Sequence, residues 1–224
     1  MTIFSWPTSK KWIPVSGSFR ARAITQSSIS PYTSAYKGSS LGSVWVAKMD
    51  FPARTLDDGY ELQAFLDGLE GPTNPVYIPN WNRPSPRYFG NQVGAPFSDG
   101  MFFTDGTGWN DPGWSLTANV AAVRGARSIA ITGFPVNSTV LYPGDVLQVG
   151  SSMIEVQTLV ISDSGGLAMV SILPGLRTGI AAGTPIIAFA PKVLMRMMSD
   201  AEMVRNLNVT DPVSLEFAEA IDQI

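Results

Sequence analysis

The side chains best placed to do chemistry are carboxylates. Asp99, Asp105 and Asp111 lie in one aromatic-rich stretch, and Asp57 and Asp58 are neighbours at an expected helix start. A glycosidase needs two acids facing each other across a cleft, one to protonate the leaving group and one to attack or to activate water. Adjacent Asp57 and Asp58 do not face one another, and the helix dipole accounts for acids in a first turn. Asp99 and Asp105 precede glycine and Asp111 precedes proline, so turn formation accounts for those three. Their spacing also misses the D-x-[DN]-x-[DN]-G calcium loop. A carboxylate glycosidase would show itself as sugar release that fails in Asp105→Asn.

Two absences narrow the chemistry further. The chain has no His and no Cys. Ser-His-Asp and Cys-His nucleophile systems, HExxH zinc sites, cysteine-ligated metals and disulfides are therefore excluded by count. Neither a G-x-G-x-x-G turn after a strand nor a G-x-x-x-x-G-K-[ST] loop is present. The expectation is a protein that is not an enzyme, with no catalytic residue, no cofactor and no metal.

Two residue sets remain as candidates for binding. Trp81, Trp109 and Trp114 stand in a Gly/Asn/Asp-rich setting and could stack on sugar rings, which makes a carbohydrate-binding adhesion module the alternative reading. The other set is electrostatic. Six basic residues precede Asp50 (Lys10, Lys11, Arg20, Arg22, Lys37 and Lys48) with no acid among them. After Met195 come two Arg and six acids (Asp200, Glu202, Asp211, Glu216, Glu219 and Asp222). Such ends can pair within one chain or between neighbours, which marks Lys10, Lys11, Arg20 and Arg22 as expected inter-subunit contacts. Exposed ion pairs contribute only about 0.2–1 kcal/mol each, so they set register and partner more than strength.

The frame that must carry these residues is β-rich. The 224 residues include 45% hydrophobic and 15% charged side chains, 21 Gly and 17 Pro, with a net charge of −3. That supports a packed core, short elements and many turns. An acidic chain of isoelectric point near 4.9 disfavours specific nucleic-acid readout. No apolar run approaches the roughly 20 residues of a membrane span, and Met1 to Trp12 lacks a secretory pattern. Synthesis in a cytoplasm without membrane insertion is the expectation.

Phe19–Ile24 and Val44–Phe51 alternate as strands, while Ser27–Ser43, rich in Ser, Gly and Tyr, reads as a loop. A helix is predicted from Leu56 to Glu70. Thr55 and Asp58 form its capping box, Leu62, Phe65, Leu66 and Leu69 form one apolar stripe, and Gly71 provides a left-handed C-cap before Pro72. Trp12, Phe19, Trp45, Phe51 and Phe65 read as core. From Gly71 to Gly113 prolines and aromatics interleave in an irregular connection. Beyond Ser115, strands are expected at Ser128–Phe134, Asp145–Val149, Met153–Ile161, Leu167–Leu173 and Thr184–Ala190, with a hairpin turn at Asp163–Gly166. Leu207–Val209 and Val213–Phe217 are further candidates. The expected fold class is mainly β: a β-sandwich with one helix (1–79, with 196–224 available to complete it), a connection (80–112), and a second small β-barrel or sandwich domain (113–195).

An ordered set of motifs runs through the second half. Leu141-x-x-Gly144-Asp145-Val146-Leu147-Gln148-Val149-Gly150 is followed by Val156, then by Ser162-Asp163-x-Gly165-Gly166-x-Ala168-x-Val170-x-Ile172. Pro174-Gly175-Leu176-Arg177 and Gly183-Thr184-Pro185 complete it. Upstream, Trp45–Pro52 leads to Leu62, Phe65-Leu66 and Leu69-Glu70-Gly71. About two-thirds of the chain thereby resembles the distal tail proteins of long-tailed bacteriophages, with Glu70 where that family often has Arg and Gly175 in place of a second Pro. The resemblance implies a structural virion protein at the tail tip. Such a subunit forms a homo-oligomeric ring, commonly a hexamer, that joins the tail tube protein to the tip hub protein while DNA passes through. Tape-measure and fibre or receptor-binding proteins are further partners it implies.

Overall fold

The computed structural model describes residues 2–7, 12–29, 36–87, 114–198, 205–206 and 209–221. The fold is mainly β with one helix and a small barrel, and the chain divides into two compact units: Met1–Asn82 with Lys192–Ile224, and Arg83–Pro191.

The first unit begins with β1 (Phe4–Ser5), β2 (Ser16–Ile29), β3 (Tyr36–Phe51), β4 (Arg54–Thr55), α1 (Leu56–Leu69) and β5 (Val76–Pro79). The second contains β6 (Leu116–Ala118), β7 (Ser128–Thr132), β8 (Thr139–Leu141), β9 (Val146–Val149), β10 (Ser152–Val156), β11 (Val160–Ile161), β12 (Leu167–Leu173) and β13 (Pro185–Ile187). The chain then returns to the first unit for β14 (Lys192–Met197), β15 (Arg205–Asn206), β16 (Val209–Thr210) and β17 (Val213–Glu219).

Six strands of the first unit form a sheet in the order β1-β5-β14-β17-β3-β2, and β15, β16 and β4 form a small three-stranded one. Strand alternation turns Trp45, Ala47, Met49 and Phe51 of β3 to one face with Leu215 and Phe217 of β17, and all six are buried. Burying a side chain of that size contributes roughly 1.5–3 kcal/mol. Trp6 stacks on Phe51 at 5.7 Å and meets Phe217 and the helix residue Phe65 edge-on at 6.0 and 5.3 Å. The helix thus covers the apolar face of the sheet. Its buried side is Leu62, Leu66 and Leu69, with Phe65 half-buried against Trp6 and Trp12.

Thr55 caps the helix as its sequence predicts: its Oγ1 accepts from Asp58 N at 3.4 Å and donates to the Asp58 carboxylate at 3.1 Å. The C-terminal end differs. The helix stops at Leu69, and Glu70 itself adopts the left-handed conformation (φ 51°) ahead of Gly71 (φ 60°). Backbone bonds from Thr73 N to Glu70 O and from Asn74 N to Leu69 O close this turn and hold it there.

In the second unit a barrel closes in the order β10-β12-β7-β6-β13-β9, with β9 pairing back onto β10. Ile129, Ile131, Leu147, Ile154, Val156, Val170 and Ile172 fill it. The predicted strand Leu167–Leu173 forms with those bounds, its alternation placing Ala168, Val170 and Ile172 inside and leaving Met169 exposed. Met153–Ile161, expected as one strand, is split between β10 and β11, and β11 pairs with β8 outside the barrel. Gly166 marks where the sequence had no freedom: at φ +72° its Cβ would lie 2.4 Å from the Phe134 carbonyl oxygen.

The Gly144-Asp145 motif is a clamp. Buried Asp145 accepts from Tyr142 N at 2.8 Å and from Arg87 N and Nε at 3.2 and 3.4 Å. Arg87 also bonds the Pro143 carbonyl and lies over the Tyr142 ring at 5.6 Å. Arg83 bonds the Gly144 carbonyl and pairs with Glu155 at 3.6 Å. Within the expected connection 80–112, residues 83–87 are therefore tied to the second unit, whereas Trp81 and Asn82 group with the first. Residues 192–195, expected in the second domain, belong to the first sheet, where β14 pairs with β5 and β17.

Candidate functional site

The outer face of the six-stranded sheet collects the polar residues that the core excludes. Register places Ser16 of β2 and Ser214 of β17 on either side of Asp50, then Ser18 and Glu216 on either side of Lys48, then Arg20 and Ala218 on either side of Val46. Arg22 follows opposite Val44.

Asp50 accepts from the Ser16 hydroxyl at 2.6 Å and from the Ser214 hydroxyl. Those two hydroxyls, with a smaller contribution from the Lys48 charge, hold its carboxyl below the ordinary value near 3.8 against an opposing effect of desolvation. Lys48 and Glu216 form an ion pair at 3.4 Å, each about half exposed. One member of the basic beginning thus meets one member of the acidic end within a single chain. Lys48 belongs to the basic beginning and Glu216 to the acidic end, but only strand register pairs them.

Arg20 and Arg22 are exposed on the edge strand β2, and no carboxylate among the described residues pairs with them. Lys10 and Lys11 lie outside the described residues. Of the tryptophans, Trp81 is half-buried with its ring edge-on to Trp6 at 6.0 Å, inside the first unit's aromatic cluster. Trp114 is half-buried against Phe134 and Phe189 at 5.4 and 6.0 Å, at the margin of the barrel core. The two belong to different units, and Trp109 lies outside the described residues, as do Asp99, Asp105 and Asp111. Asp57 and Asp58 are in the first helical turn, where Asp58 takes part in the Thr55 cap. Among the described residues, no three acids gather in a metal-binding group, and no helix is long and apolar enough to cross a membrane.

The largest departure from the sequence reading is at Ser27–Ser43. Where a loop was expected, β2 and β3 continue as a paired ribbon as far as Ile29 opposite Tyr36. β17 accompanies β3 only from Val46 to Phe51. Where it leaves, the buried Glu219 carboxylate accepts from Trp45 N at 3.1 Å, an acid at a position whose alternation predicts an apolar residue. Beyond that point the ribbon runs with no third described strand beside it, and β2 is the sheet's edge along its whole length. A Ser/Thr/Gly-rich ribbon carries little hydrophobic alternation, which is why its sequence reads as a loop.

No protein-family model matches the chain, and no curated protein matches it.

Proposed function

We propose that this chain is a structural virion protein, the subunit of a ring at the distal tail or baseplate of a long-tailed bacteriophage. In this reading the ring links the tail tube to the tip hub and adhesion apparatus, DNA passes through its centre, and no catalysis or cofactor is involved. The observation that carries the reading is the β2–β3 ribbon. A lone two-stranded ribbon is marginally stable in water. Unpaired strand edges are templates for another chain. This ribbon presents two different edges: β2 along Ser18–Ile29, and β3 from Tyr36 to Gly42. If the β2 edge of one copy meets the β3 edge of the next, the contact is heterologous, and such contacts close into rings when the rotation permits. The motif order from Leu141 to Pro185 supports the same family. Its Gly and Asp punctuation falls on the Asp145 clamp and on the Asp163 turn, where Oδ1 accepts from Gly165 N and Leu167 N at 2.8 and 2.9 Å.

Native mass at micromolar concentration tests the proposal. A hexamer of the 24.0 kDa chain gives about 144 kDa. Replacing residues 25–41 by Asn-Gly joins Ile24 to its partner Gly42 through a tight turn. This variant is expected to keep the sheet, shown by an unchanged far-ultraviolet spectrum, and to run as a monomer. A shortened protein that assembles as before removes the ribbon from the ring contact.

A further inference from the structure

One end of the second unit's barrel carries two interlocked loops, 119–127 and 173–183. Four backbone bonds join them: Gly125 N to Leu176 O, Leu176 N to Ala126 O, Ala122 N to Ile180 O, and Ile180 N to Ala122 O, at 2.8–3.0 Å. Their contact is so close that a Cβ on Gly175 would lie 2.8 Å from the Gly125 carbonyl oxygen. On this fixed frame Val120 and Val123 are 53% and 76% exposed. The same loops carry Arg124, Arg127 and Arg177 and contain no acid.

The cations are also of one kind. Residues 83–191 include five Arg and no Lys. Two of the five are engaged by carboxylates of the unit itself, Arg83 by Glu155 and Arg87 by Asp145. Arg124 and Arg127 are exposed and have no carboxylate partner among the described residues. Arginine presents a planar fork that carboxylates match with two parallel hydrogen bonds, and it is enriched at protein interfaces where Lys is depleted. The platform has no aromatic side chain to enter a bilayer or to stack on a base, and exposed valines four residues and one residue before Arg124 suit an apolar partner side chain better than a phosphate track.

We propose that this two-loop platform is a docking surface for an acidic segment of another protein, with Arg124 and Arg127 receiving its carboxylates and Val120 and Val123 its apolar side chains. Loops already held in place lose little freedom on binding. The inference stands independently of the ring, since it uses neither the ribbon nor the first unit.

The test uses the full-length chain and a fluorescein-labelled octapeptide of alternating Glu and Leu, followed by anisotropy at low and at physiological salt. Saturable binding is expected, weakening with salt, at least tenfold weaker in Arg124→Glu/Arg127→Glu and weaker in Val123→Ser. Both sites are exposed, and an unchanged melting temperature verifies that the variants fold. Three outcomes overturn the proposal: no saturable binding, binding that survives the double reversal, and tighter arginine-dependent binding to phosphatidylglycerol vesicles or to an oligonucleotide. Because native mass is read separately, loss of the ring with peptide binding intact, or the reverse, assigns each failure to its own proposal.

Discussion

Asp50 shows how a single exposed acid can acquire a pH-dependent role from its neighbours. Both flanking strands place a serine at its register position, and both hydroxyls donate to it. The ionised form is the one these bonds favour, so the folded-state pKa lies below the unfolded one. The sign follows: stability from this site is present above the ordinary carboxylate value and is lost as pH falls through the lowered one. Asp50→Asn is therefore expected to be less stable than the parent near neutrality, with the gap closing as pH falls through the lowered value. Urea midpoints at pH 7 and pH 3 measure it, and a gap that stays constant rules out the ionised carboxylate as the source. At this scale much of the chemistry was legible. The absence of His and Cys narrowed the possible reactions before any fold was considered, and the opposed charge of the two ends contained the Lys48–Glu216 pair. What composition could not supply was register, which alone decides that Lys48 is answered within the chain while Arg20 and Arg22 are left exposed.

At the scale of elements, legibility followed periodicity. The helix and the strand Leu167–Leu173 have strong repeating patterns because each buries one face only, and both formed close to where their sequences place them. Over Ala23–Ser43 the sequence is rich in Ser, Gly and Tyr and carries no hydrophobic alternation, so the ribbon's ladder was invisible in it. The helix end shows a different conflict. Gly71 was available for the left-handed position, yet Glu70 is already left-handed. An L-residue there costs roughly 1–2 kcal/mol, and a negative charge at a helix C-terminus opposes the macrodipole. Glu70→Gly removes both penalties while giving back some unfolded-state entropy. The expected net effect is a gain of about 1 kcal/mol, read as a higher denaturant midpoint. A loss instead would mean that the Glu70 side chain, whose Oε2 lies 3.5 Å from Asn74 Nδ2, supports the turn through that contact.

For the whole molecule, the consequential feature is where the second unit is inserted. β5 and β14 are antiparallel neighbours with Pro79 opposite Lys192, so the chain leaves the first sheet and rejoins it at one register position. The second unit fastens its own two ends, with Ala190 N donating to Pro84 O at 2.6 Å beside the Arg83 and Arg87 contacts. Neither unit then needs the other to close its hydrogen-bond ladder. Joining residue 82 to residue 192 through a short Gly/Asn/Ser linker should leave a first unit that unfolds cooperatively, because a hairpin loop of a few residues costs less closure entropy than the long insertion it replaces. The excised segment 83–191 should likewise give a single cooperative transition, with its barrel and Asp145 clamp intact. Calorimetry on both pieces decides this. Two transitions that reproduce those of the full chain establish an inserted, self-sufficient module. A first unit that melts without cooperativity would show that its sheet relies on the barrel despite the closed register. Self-assembly assigned to the ribbon should then follow the first piece, and acidic-peptide binding assigned to the paired loops should follow the second.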